Sequence, residues 1–130
     1  MKFDKEYISE ADCPEIQGLR KWLELGDWIA YKPDNKEICL ITRDNSMDDY
    51  FSEVDRNLRD DRIWLPTGDQ LDDEIIKVCK EKDYYNYSWL WHQNSLFVVT
   101  YEDRNGDNYP FRDRNSLIAK IKLLKELLNG

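Results

Sequence analysis

Between Pro66 and Tyr101 the hydrophobic pattern changes from a period of 3.6 to a period of 2, which commits the chain to helix followed by sheet. Thr67 and Gln70 have the spacing of a capping box, and Pro66 stops the run Ile63-Trp64-Leu65 just before it. Leu71, Ile75, Val78 and Cys79 then fall on one helical face. Asp69, Asp72, Asp73 and Glu74 lie early in this helix and Lys77, Lys80 and Lys82 late, an order that matches its dipole. Residues 84–92 alternate instead, so that Tyr85, Tyr87, Trp89 and Trp91 are expected to share one strand face and Asn86, Ser88, Leu90 and His92 the other. After a turn at Gln93-Asn94 a second strand is expected over 95–101.

The remaining elements are weaker versions of these two patterns. A first helix is expected over 13–24, with Asp12 and Glu15 at capping-box spacing, Pro14 in the first turn, and Ile16, Leu19, Trp22 and Leu23 as its stripe. Trp28-Tyr31 and Ile38-Thr42 read as a hairpin around Pro33-Asp34-Asn35. Residues 43–61 are polar, either a loop or one irregular helix. Asn105-Gly106 signals a turn, Tyr109-Pro110-Phe111 a short edge piece, and Asp113 caps a last helix with Leu117, Ile121, Leu124 and Leu128 in line. The expected fold is α+β in the order α-ββ-β-α-ββ-α: one domain over 1–130, with a mainly antiparallel sheet and helices packed on one face. Trp64 and Leu71 are expected in its core.

Composition narrows the function classes. The formal net charge of −8 repels polyphosphate, so general nucleic-acid binding is not expected, whereas basic partners are. Cys13, Cys39 and Cys79 are odd in number and widely spaced, so neither a disulfide framework nor a metal site is expected, and a reducing cytoplasm is. Met1-Lys2-Phe3-Asp4-Lys5-Glu6 lacks the apolar core of a signal peptide, and no apolar run approaches the roughly 20 residues of a membrane span.

Candidate chemistry is sparse. His92 is the only histidine, and no nucleophile-elbow pattern surrounds any serine or cysteine that it would activate. A hydrolase would have to combine His92 with scattered carboxylates. No glycine-rich phosphate loop occurs, so no cofactor is expected. A nucleotide binder would have to use side chains, with Arg112 and Arg114 before the last helix as the most suggestive pair. The rings of Tyr85, Tyr87, Trp89 and Trp91 form either a core layer or a partner surface. A small domain's need for apolar volume favours the core, while the enrichment of Trp and Tyr at hot spots keeps the surface in play. Because Phe97, Val99 and Tyr101 alternate with Leu96 and Val98, both faces of the second strand are apolar, so the face that helices leave uncovered must meet segment 43–61, a second subunit or a partner, and a homodimer or a partner contact is expected.

The segment Trp64-Leu65-Pro66-Thr67-Gly68-Asp69-Gln70-Leu71 resembles a motif of small uncharacterised bacteriophage and prophage proteins, as do Gly26-Asp27-Trp28 and the closing Leu-rich helix. Gly68 departs from the larger polar residue of that pattern. The resemblance implies a mobile-element origin and no activity. The expected function is accordingly non-enzymatic protein–protein interaction in the bacterial cytoplasm, with a host or phage protein, such as a defence component, as partner. Nucleotide sequestration is the second expectation.

Overall fold

A computed structural model describes residues 3–20, 23–31, 38–41, 62–92 and 95–129. The fold is α+β, and every pairing among its described strands is antiparallel. Among the described residues the strands do not form one sheet. They divide into two three-stranded sheets, within two compact units, Met1–Pro66 and Thr67–Gly130.

The first unit contains α1 (Lys5–Ala11), α2 (Pro14–Gln17), β1 (Trp28–Tyr31), β2 (Ile38–Leu40) and β3 (Arg62–Leu65). The expected helix over 13–24 is corrected here. Asp4 caps α1 by accepting from the Tyr7 N–H at 2.8 Å, and Asp12 ends that helix rather than opening the next. Pro14 occupies the first position of α2, which leaves Cys13 as the cap. The four-residue helix stops at Gly18, where a Cβ would stand 2.8 Å from the Pro14 carbonyl oxygen. Ile16 and Leu23 are buried as expected, and Trp22 lies outside the described residues.

Strand β1 is central, paired with β2 as the expected hairpin and with β3 on its other side. Gly26 enters it at φ +94°, a left-handed conformation that favours glycine. Asp27 is buried and accepts from the Glu24 N–H at 2.7 Å and from Arg20 at 3.3 Å, while the Arg20 guanidinium lies 4.8 Å from the Trp64 ring centre. Thr42, the turn Pro33-Asp34-Asn35 and segment 43–61 lie outside the described residues.

The outer edge of β3 is closed by a side chain. Gln17 accepts from the Trp64 N–H at 2.8 Å and donates to the Trp64 carbonyl at 2.9 Å, so its amide takes the place of a neighbouring strand's peptide group. The same nitrogen donates to the Ala11 carbonyl at 2.8 Å. Gln17→Ala is expected to cost about 1–3 kcal/mol, because it strips a backbone donor and acceptor of their partners. Urea unfolding will measure this, and a loss near zero would mean that water replaces the amide.

The second unit contains α3 (Gly68–Lys82), β4 (Tyr85–Trp91), β5 (Phe97–Glu102), β6 (Asn108–Asp113) and α4 (Ser116–Asn129). Thr67 and Gln70 form the expected capping box, and Leu71, Ile75, Val78 and Cys79 are buried. Asp83 ends the helix in the left-handed region at φ 58°. The sheet order is β4-β5-β6. Helix α4 packs on β5 and β6, and α3 packs on α4 and β4.

The expected cap Asp113 is corrected to Asn115, whose side chain accepts from the N–H groups of Leu117 at 2.9 Å and Ile118 at 3.3 Å. Asp113 is still paired with Phe97 in β6, so the helix cannot begin there. Its carboxylate instead accepts from the Asn115 N–H at 2.9 Å and pairs with Lys122 at 3.3 Å. Ile118, Ile121, Leu123, Leu124 and Leu127 supply the buried face of α4, while Leu117 and Leu128 stay partly exposed.

Candidate functional site

The two edges of the second sheet are chemically different. Strand β6 carries Pro110, Arg112 and Asp113, residues that discourage further strand pairing. Strand β4, Tyr-Asn-Tyr-Ser-Trp-Leu-Trp, carries no charge and no proline, and every residue except Tyr87 is exposed. Tyr85, Trp89, Leu90 and Trp91 retain 57%, 52%, 50% and 53% of their accessible surface.

This corrects two expectations. First, the aromatic residues are not a core layer. The buried layer belongs to the central strand, through Phe97, Val99 and Tyr101. Trp89 stacks on Phe97 at 5.4 Å and Trp91 meets the same ring edge-on at 4.9 Å, each leaving about half its surface to solvent. Second, the four rings do not share one face. Tyr85 pairs with Glu102 and Ser88 with Thr100, so β4 has one residue more than β5 over this stretch. Asn86 absorbs the extra residue at φ 55°, a conformation that asparagine tolerates. Tyr85 therefore lies in phase with Ser88 and Leu90, whereas Trp89 and Trp91 lie in phase with Val99 and Phe97.

The phase of Trp89 faces α4 and meets a buried charge. Lys120 is only 7% exposed, and its ammonium stands 3.0 Å from Asp72 of α3. The Tyr87 hydroxyl donates to the same carboxylate at 2.6 Å. The ammonium also lies 5.5 Å from the Trp89 ring centre and 5.7 Å from that of Phe97. Thus α3 supplies the anion, α4 the cation and β4 the aromatic face. A Cβ on Gly68 would stand 3.5 Å from the Lys120 nitrogen, an ordinary van der Waals contact, so the first residue of α3 lies directly beside this ammonium.

Burial, then the hydrogen bond to Asp72 and its negative charge, push the Tyr87 phenol well above its ordinary value. The Tyr101 phenol is pushed up to about 12, chiefly by burial and next by Tyr84, in a stack that continues to Tyr109. A raised phenol contributes stability that is fully present below its unfolded value near pH 10 and is lost as pH rises toward the folded value. The urea midpoint is therefore expected to hold up to about pH 10 and then fall, with a shallower fall in Tyr87→Phe. Tyrosinate absorbance will follow the titration, and an unchanged slope in Tyr87→Phe would contradict the assignment.

Where β4 meets α3, an open groove of about 370 Å³ is lined by Ile76, Cys79, Lys80, Tyr84 and the bulged residues Tyr85 to Tyr87. Among the described residues that line it Lys80 is the one cation, and neither Arg112 nor Arg114 is among them. Arg112 is exposed on β6, across the sheet from β4, and Arg114 is exposed in the bend before α4; the structure does not bring them to the aromatic strand. His92 is exposed just beyond β4, where its N–H donates to the Leu96 carbonyl at 2.8 Å. Cys13 and Cys39 are partly exposed and Cys79 is buried, and none of the three is joined in a disulfide. Among the described residues no group of three or more His, Cys, Asp or Glu side chains is placed to hold a metal ion, and no helix is long and apolar enough to cross a membrane.

The motif residues singled out in the sequence have structural roles. Trp64 and Leu71 are buried as expected, the Pro66 carbonyl accepts from the Tyr7 hydroxyl, and Thr67 caps α3. Sequence reasoning missed the Lys120–Asp72 pair, whose members are separated by 48 residues, and the Gln17 amide on β3. No protein-family model, curated protein or solved structure matches the chain.

Proposed function

We propose that this chain is a non-enzymatic interaction protein of bacteriophage or prophage type that acts by protein–protein contact through the β4 edge. The observation that carries this reading is the half-exposed set Tyr85, Trp89, Leu90 and Trp91 on an uncharged outer strand. Trp and Tyr supply most interface hot spots, because they bury large area for little lost conformational freedom. Among the described residues β4 is an outer strand, and an outer strand offers N–H and C=O groups that a partner's backbone can engage. The net charge of −8 steers basic partners toward the molecule without placing charge on the strand itself.

Retention of bacterial host proteins on immobilised wild type, Trp91→Ala and Arg112→Ala will test the reading. A protein held by wild type and by Arg112→Ala, the opposite-edge control, is expected to be lost from Trp91→Ala. Equal retention by all three would remove the β4 edge as the docking surface.

A further inference from the structure

We propose that the groove between α3 and β4 binds a small aromatic carboxylate. Size is the first support. The groove holds about 370 Å³, and small-molecule sites run from roughly 300 to 1,000 Å³. Its walls are the rings of Tyr84, Tyr85 and Tyr87 and the aliphatic Ile76, over the buried Cys79. Such surfaces suit a flat, apolar body.

The walls are held in place without a ligand. The Tyr84 ring stacks on Tyr101 at 5.3 Å, and the Tyr84 N–H donates to the Cys79 carbonyl at 2.8 Å. The Tyr87 hydroxyl is engaged by Asp72, which is itself paired with Lys120. Between the two tyrosines Asn86 stands in the left-handed region at φ 55°, a conformation of the kind that recurs at ligand clamps. Walls fixed in advance lower the ordering cost of binding.

Charge then selects the ligand. The molecule carries −8, yet the described residues that line the groove include no carboxylate and a single cation, Lys80. Lys80 is exposed, and among the described residues no carboxylate pairs with its ammonium. The backbone carbonyls of Cys79 and Lys80 already accept from the N–H groups of Tyr84 and Asp83. One ammonium matches one carboxylate, whereas a phosphate is better held by the fork of an arginine or by several cations. An aromatic body with one carboxylate therefore fits both the walls and the charge.

The probe is 2-naphthoate, titrated into the full chain and followed residue by residue through amide NMR shifts. A ligand of about 13 non-hydrogen atoms bound with ordinary efficiency has a dissociation constant on the order of 1 mM. Saturable shifts are expected at Lys80 and at residues 84–87. Naphthalene-2-carboxamide has the same shape without the charge and should bind at least about fivefold more weakly, as should 2-naphthoate to Lys80→Gln. Ile76→Glu, which sets a carboxylate in the groove, should abolish binding. Lys77→Gln, on the same helix outside the groove, should leave it unchanged. The proposal is overturned if no saturable shift occurs up to about 10 mM, or if the shifts centre elsewhere on the chain. Equal affinity for the carboxamide overturns it, and so does equal affinity of Lys80→Gln for 2-naphthoate. A loss in Lys77→Gln as large as that in Lys80→Gln does the same, because overall charge rather than the groove would then select the anion. The carboxamide comparison uses the wild type, so it decides the matter even where a variant fails to fold.

Discussion

Trp64→Ala is expected to destabilise the first unit by about 3–5 kcal/mol, the usual cost of emptying a large aromatic site. Trp64 is 1% exposed, its backbone is held by Gln17, and Arg20 covers its ring on the way to Asp27. Removing the ring leaves a cavity and also uncovers a guanidinium that pairs with a buried carboxylate. Trp64→Phe separates volume from polarity. Among the described residues the indole N–H is buried without a hydrogen-bond partner, so losing it costs nothing, and the expected loss is below about 1.5 kcal/mol. Urea unfolding of both variants measures the difference. A loss below about 1 kcal/mol for the alanine variant would show that the site collapses or is not core.

The second large effect is expected at Asp72. Asp72→Ala leaves the Lys120 ammonium buried beside two aromatic rings and takes the acceptor from the Tyr87 hydroxyl. Breaking one side of a buried ion pair typically costs 3–5 kcal/mol. The Asp72 side chain is 23% exposed, so water offsets part of this and a loss of about 3 kcal/mol is expected. The double variant Asp72→Ala/Lys120→Met should recover most of it, because an apolar side chain fills the same volume with no charge to desolvate. A double variant as unstable as Asp72→Ala would show that the penalty comes from lost packing and the Tyr87 hydroxyl's lost acceptor rather than from the orphaned charge.

What was legible in the sequence was local. The capping box of Thr67 and Gln70, the stripe of α3 and the strand period of β5 depend on neighbours within a few residues, and all three are present. Helix α1 carried a readable signal that was passed over: Asp4 as cap, then Tyr7, Ile8 and Ala11 on one face. The burial of the aromatic strand was not legible, because alternation fixes which residues share a phase but not whether the strand is central or outer. That depends on pairing order, which is set by contacts distant in sequence. The bulge was masked by strict alternation, with only the tolerance of Asn86 for positive φ as a hint. Of the proposed site, the residue types were legible and their exposure was not. Arg112 and Arg114 looked like a pair in the sequence, yet one ends up in a strand and the other in a bend.

The Gln17 amide on β3 also makes one backbone proton unusually informative. Trp64 turns its N–H away from β1, toward Gln17, while its neighbours Ile63 and Leu65 turn theirs toward β1 by alternation. Solvent deuterium can therefore reach the Trp64 amide when α2 lifts from the strand, even with the sheet intact. Exchange at Ile63 and Leu65 has to wait for the sheet itself to open. The ratio of these rates in a single native-state experiment gives the free energy of detaching α2 separately from that of unfolding the unit.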